Sequence, residues 1–175
     1  MNPARCDTLR GVTDTPILSG TGTVPDLWFE DLKPGRVFDL GSITIDETEM
    51  VDFARRFDPQ WYHVDRERAE ASGWGGLIAS GFFTASLLMR QYVDQVLSRA
   101  AADTSPGLEN LRWHAAVRAG DVLDVTLTVS DARDSSRGAH LGTVYLSWEM
   151  RRGDTPVASM SGRGWFHRRP VNWPG

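Results

Sequence analysis

The stretch Leu77-Ile78-Ala79-Ser80-Gly81-Phe82-Phe83-Thr84-Ala85-Ser86-Leu87-Leu88-Met89-Arg90-Gln91-Tyr92-Val93-Asp94-Gln95-Val96-Leu97 decides the fold. Its first half is apolar on nearly every side of a helix, so it must be buried rather than laid on a surface. Phe82 therefore reads as core. At about 20 residues the stretch has the length of a membrane span, but Arg90, Gln91, Asp94 and Gln95 wet its second half, and a core helix in a soluble domain is the better reading.

On its amino-terminal side, Val37 to Ile45 has strand character, and Asp46 or Thr48 can cap a helix whose apolar positions Met50, Phe53, Ala54 and Phe57 fall at helical spacing. Pro59 makes Asp58 the expected helix end. Asp65 is again a good cap, for a short helix from Arg66 to Ala71, before Ser72-Gly73-Trp74-Gly75-Gly76 breaks it. On the carboxyl side, Asp121 to Arg133, Gly142 to Arg151 and Thr155 to Arg168 alternate as strands with one wet face, and Leu108 to Trp113 adds a shorter one. Arg151-Arg152-Gly153-Asp154 forms a tight connection between the last two. A strand, short helices, one buried helix and an antiparallel meander make an α+β domain in which a sheet wraps a central helix.

The chain of 175 residues, 41% hydrophobic and 24% charged, has the balance of one globular domain. We assign a flexible leader to residues 1–26, the domain to 27–170 and a short tail to 171–175. A formal charge of -4 argues against nucleic acid or an anionic membrane as partner. Cys6 is the single cysteine, which leaves no disulfide framework and no cysteine metal cluster. His114, His140 and His167 lack the paired spacing of metal ligands, so no metal is expected. Gly73 to Gly76 lacks the spacing and the lysine of a phosphate loop. Without an apolar targeting stretch, a cytoplasmic location is the default.

The chemistry is concentrated in Phe57-Asp58-Pro59-Gln60-Trp61-Tyr62-His63-Val64-Asp65. A carboxylate and an imidazole five positions apart in a proline-broken loop can hold one water between them and serve as general base and general acid. Burial among aromatic residues is expected to raise the pKa of Asp58. By spacing alone, a turn-capping aspartate beside a structural histidine remains open. At Gly75-Gly76-Leu77-Ile78-Ala79-Ser80-Gly81-Phe82, the free amides of a helix start suit an anionic oxygen, and Gly81 lets a ligand approach the backbone.

Asp58 to His63 resembles the aspartate-x-asparagine-proline-x-histidine signature of MaoC-like dehydratases and R-specific enoyl-CoA hydratases. Gln60 stands in place of the asparagine, Trp61 in place of the proline, and Pro59 falls one residue early. Gly76 to Gly81 is similar to the family's helix lead-in, with Ser80 where histidine is common. Leu111-Arg112-Trp113 and Val117-Arg118-Ala119-Gly120-Asp121 are similar to its strand and turn pattern. The resemblance implies a hot-dog fold and an active site shared between two subunits of a homodimer or larger homo-oligomer. It implies a hydratase or dehydratase acting on an acyl thioester of coenzyme A or acyl carrier protein, with coenzyme A as part of the substrate and no separate cofactor. Asp58 and His63 would carry the water chemistry, and the Gly81 backbone amide would hold the thioester carbonyl. Gln60, Trp61, Tyr62, Ser80 and Phe83 are the expected substrate-binding residues, with Trp74 beside them. Arg112, Arg118 and Arg137 are candidates for coenzyme A phosphates. A hot-dog thioesterase and a non-catalytic acyl-thioester-binding subunit are the alternatives.

Overall fold

A computed structural model describes residues 17–170. Strands β1 (Val37–Thr44), β2 (Leu108–Trp113), β3 (Val122–Asp134), β4 (Leu141–Arg152) and β5 (Thr155–His167) form one sheet in the order β1-β3-β4-β5-β2, antiparallel throughout. Gly153, at φ 55°, takes the left-handed position that the β4–β5 turn requires. The alternation read in the sequence is realised: Leu123, Val125, Leu127 and Val129 of β3, with Val144, Leu146, Trp148 and Met150 of β4, point into the core. Each such side chain contributes about 1.5–3 kcal/mol through burial.

Helix α1 (Glu47–Phe57) starts at Asp46, whose carboxylate accepts from the Glu49 amide at 2.9 Å. Two short helices follow, α2 (Trp61–Val64) and α3 (Arg66–Glu70), the second capped by Asp65 through the Arg68 amide at 3.1 Å. The central helix α4 (Gly81–Tyr92) continues as a π-helical turn over Val93–Leu97 and lies across the sheet, with Tyr92 edge-on to Trp148 at 5.1 Å.

The central helix departs from its sequence reading in two ways. Leu77 to Ser80 are not helical. Burial is also one-sided: Phe83, Thr84, Leu88, Tyr92 and Val96 face the sheet, whereas Phe82, Ser86 and Met89 are exposed. Phe82, read as core, is 62% exposed. An all-apolar helix cannot reveal by pattern which face its own sheet will take, and here the sheet covers only one.

Residues 1–16 of the expected leader lie outside the described residues, as do Cys6 and the tail 171–175. Residues 17–26 hold the carboxyl end of the helical segment. Gly20 N–H donates to Leu97 O at 2.9 Å, the Thr21 and Thr23 hydroxyls donate to Ser98 O, and the Asp26 and Leu27 amides donate to Arg99 O. These donors satisfy carbonyls that a helix end leaves unpaired.

Candidate active site

Pro59 stops α1 at Asp58, and Gln60 begins α2, so the chain reverses and brings His63 back beside Asp58. His63 Nε2 lies 3.4 Å from Asp58 Oδ2. The imidazole is buried (6% of its side chain exposed) while the carboxylate keeps 21%. His63 Nδ1 is 2.7 Å from the Ile78 carbonyl oxygen, which can only accept, so Nδ1 carries a proton. Nε2 is then turned toward Asp58, the arrangement by which a second partner fixes a histidine tautomer.

Asp58 is gripped by two donors. Gln60 Nε2 donates to Oδ1 at 2.8 Å, and Ser80 Oγ donates to Oδ2 at 2.7 Å. The Ser80 hydroxyl, Gln60 and the nearby imidazole hold the carboxyl below the ordinary aspartate value, with desolvation opposing them. The rise expected from burial is therefore corrected: hydrogen bonding to the charged form outweighs burial. Ser80 is itself fully buried and caps α4, accepting from the Phe82 amide at 3.3 Å.

A cavity of about 500 Å³ opens beside the pair. Asp58, Gln60, His63 and Gly81 line it, together with Trp74, Phe82, Trp113 and His114. Its remaining wall, Ile78, Ala79, Thr84 and Ala115 to Val117, is mostly small or apolar. Gly81 is the first residue of α4, where an amide has no acceptor within its own helix, so its N–H is available to an anionic oxygen. The glycine has a further reason. A Cβ there would fall 2.3 Å from the Trp113 indole, whose Nε1–H donates to Gly81 O at 2.9 Å. The close approach expected of a ligand is thus made, on one side, by Trp113.

Of the other expected substrate contacts, Gln60 and Trp74 line the cavity. Phe83 is buried in the core, 5.5 Å from Phe53. Trp61 packs against the core beneath the Arg68 guanidinium. Ser80 lies behind Asp58, and Tyr62 meets His63 edge-on at 4.4 Å while its hydroxyl donates to Gln60 Oε1. Phe82, in contrast, stands at the cavity with Trp113 edge-on at 5.7 Å.

Trp113 and His114 were not anticipated as wall residues, although they lie in the Leu111–Asp121 stretch. In the sequence, Trp113 closes a short strand and His114 is one of three scattered histidines, with nothing to mark the cavity. Arg118, a phosphate candidate, is committed to the carbonyls of Leu77 and Trp74 and braces the loop before α4. Arg137 stacks on Trp165 at 4.2 Å, and Arg112 is exposed on β2. His140 and His167 form a ring pair 6.0 Å apart, where burial pushes His167 down from its ordinary value. Among the described residues, no group of three or more His, Cys, Asp or Glu is placed to hold a metal ion, and no helix is long and apolar enough to cross a membrane.

One antiparallel sheet laid over one long helix, with a carboxylate and an imidazole meeting beside the helix start, defines a hot-dog protein with a site suited to acid/base chemistry. Residues 30–149 match the MaoC like domain, and the chain belongs to that family. It is 33% identical over 117 residues to 3-hydroxyacyl-thioester dehydratase Z of Mycobacterium tuberculosis, covering 66% of this chain and 78% of that protein. The crystal structure of the MaoC-like dehydratase from Rhodospirillum rubrum superposes with a TM-score of 0.76 at 32% identity, over 83% of this chain and 99% of that one. The R-hydratase PhaJ1 from Pseudomonas aeruginosa shares the fold, with a TM-score of 0.66 at 18% identity over 85% and 94% of the two chains.

Proposed function

We propose that the protein adds water reversibly to a 2-enoyl thioester, or removes it from a 3-hydroxyacyl thioester. The observation that carries this reading is the 3.4 Å gap between His63 Nε2 and Asp58 Oδ2, open to an apolar cavity beside the amide of Gly81. Two acceptors facing one another are suited to a water that donates one hydrogen to each. The depressed pKa of Asp58 keeps it an anion, a weak proton acceptor but a good orienting partner. His63 Nε2 then takes the proton from water as its oxygen bonds to C3 of the enoyl group. Electron density moves to the thioester carbonyl oxygen, where the Gly81 N–H and the α4 dipole meet the developing charge. The imidazolium, paired with Asp58, returns the same proton to C2, so one water is consumed and both catalytic groups are restored.

Coenzyme A or an acyl carrier protein enters as part of the substrate, and no separate cofactor is invoked. The working unit is a homodimer. Its supports are the β2 sheet edge, with Leu108 and Trp113 exposed, and the uncovered side of α4 at Phe82 and Met89.

The test is loss of conjugated double-bond absorbance when the purified protein meets crotonyl-CoA and longer, branched and dicarboxylic 2-enoyl thioesters. Turnover without release of free thiol supports hydration. Thiol release would assign a thioesterase instead, and tight binding without turnover would assign a non-catalytic binder.

A further inference from the structure

We infer that Tyr62 is a positioning residue: through Gln60, its hydroxyl fixes the orientation of the Asp58 carboxylate. In its kinetic consequence, this rests on the hydration reading above.

An ionised carboxylate only accepts hydrogen bonds, so the Gln60 atom 2.8 Å from Asp58 Oδ1 must be the amide nitrogen. That choice turns Gln60 Oε1 the other way. An oxygen there needs a donor, and the Tyr62 hydroxyl provides it. The flipped amide would set an oxygen against the carboxylate and lose that bond, whereas the phenol, which can also accept, could still be met by the NH2. The carboxylate therefore decides which way the amide faces, and the Tyr62 hydroxyl, by holding the far end of that amide, fixes where the donating NH2 stands relative to Asp58.

The neighbouring contacts make the phenol a stable anchor. Its ring lies edge-on to His63 at 4.4 Å and to Trp61 at 5.2 Å, and 6.0 Å from Trp74, while its backbone carbonyl accepts from Ile78 N–H at 3.1 Å. Ile78 is also the residue whose carbonyl holds His63 Nδ1. One residue therefore abuts the imidazole with its ring and reaches the carboxylate through a side-chain amide. Of the groups that face Asp58, Ser80 belongs to the start of α4 and His63 to α2, while His114 stands elsewhere on the cavity wall. Removing the Tyr62 hydroxyl alters none of these directly.

The decisive experiment is a carbon-13 NMR titration of the aspartate carboxyls, with the Asp58 signal assigned by Asp58→Asn, in wild type, Tyr62→Phe, Gln60→Met and the double variant. Tyr62→Phe keeps the ring and its packing. The Asp58 titration should move to higher pH in Tyr62→Phe and in Gln60→Met, and the double variant should move no further than Gln60→Met alone. In kinetics, Tyr62→Phe should lower kcat by about 5- to 10-fold, the scale of one hydrogen bond between neutral groups, with KM unchanged.

An unmoved Asp58 titration in Tyr62→Phe would overturn the proposal. A raised KM that persists in the Gln60→Met background would also overturn it, and would place the phenol on the substrate. If the wild type turns over no thioester, the hydration reading fails, while the titration still decides whether Tyr62 acts on Asp58. Should Gln60→Met not fold, Gln60→Leu serves in its place: its side chain offers Asp58 no donor and Tyr62 no acceptor, and the Asp58 titration should rise although Tyr62 is intact. No rise in Gln60→Leu would likewise overturn the relay.

Discussion

Ser80 Oγ donates to Asp58 Oδ2 at 2.7 Å, a bond across 22 residues that ties the start of the central helix to the end of α1. The same oxygen caps α4, so the orientation of the Asp58 carboxylate and helix initiation share one hydroxyl.

Ser80→Ala removes both roles, and pH separates them. Asp58 has a folded pKa below its unfolded value, so its contribution to stability is present above the unfolded value of about 3.9 and is lost as pH falls through the folded one. The stability difference between wild type and Ser80→Ala should therefore be largest at neutral pH, about 1–3 kcal/mol, and should shrink in acid to the lost helix cap alone, about 1 kcal/mol. Denaturant unfolding at pH 7 and at successive steps below about pH 4 follows the change. A difference that stays constant with pH would mean that the serine acts only as a cap.

Asp58→Asn and His63→Ala should each lower hydration by about 100-fold or more. If both act on one water, as proposed, their effects should not multiply: the double variant should resemble the weaker single variant. Steady-state rates with a 2-enoyl thioester decide it. Independent, multiplying losses would separate the two residues into different steps.

How far the sequence could lead is clearest at this pair. The five-residue separation, the proline break and the aromatic surroundings suggested Asp58 and His63 as a pair, the resemblance of their motif put them forward, and the alternation of β3, β4 and β5 set out the sheet to within a residue or two. The sign of the Asp58 shift was not legible, because it depends on a hydroxyl delivered by a distant helix start. Nor was the exchange of Phe82 and Phe83. Successive helical residues point about 100° apart, and two phenylalanines side by side carry no mark of which one meets the sheet. Arg118 was illegible for another reason: a guanidinium spent on two backbone carbonyls looks, in sequence, like one free for a phosphate.

Gly81→Ala should be costly although the backbone there is ordinary helix. The added methyl would fall 2.3 Å from the Trp113 indole, so the ring must leave and its bond to Gly81 O must break. Overpacking of this kind costs about 1–3 kcal/mol. Thermal or chemical unfolding should show the loss, and Gly81→Ala combined with Trp113→Ala should recover most of it relative to Trp113→Ala alone. A Gly81→Ala variant as stable as wild type would show that the indole is free to move aside.

The uncovered side of α4 gives the last prediction. Phe82 and Met89 lie seven positions apart on the exposed face of that helix, at 62% and 43% exposure, and the β2 edge presents Leu108 and Trp113. A charge at Met89 should oppose burial against a second copy while leaving the cavity lining intact, because Met89 is not among its walls. Met89→Glu should therefore shift the protein from dimer toward monomer in light scattering at micromolar concentration. If the active site is shared between subunits, hydration should fall with the dimer fraction and recover as protein concentration is raised. A wild type that is monomeric yet fully active would remove the shared site, and a dimer unaffected by Met89→Glu would move the interface to another surface.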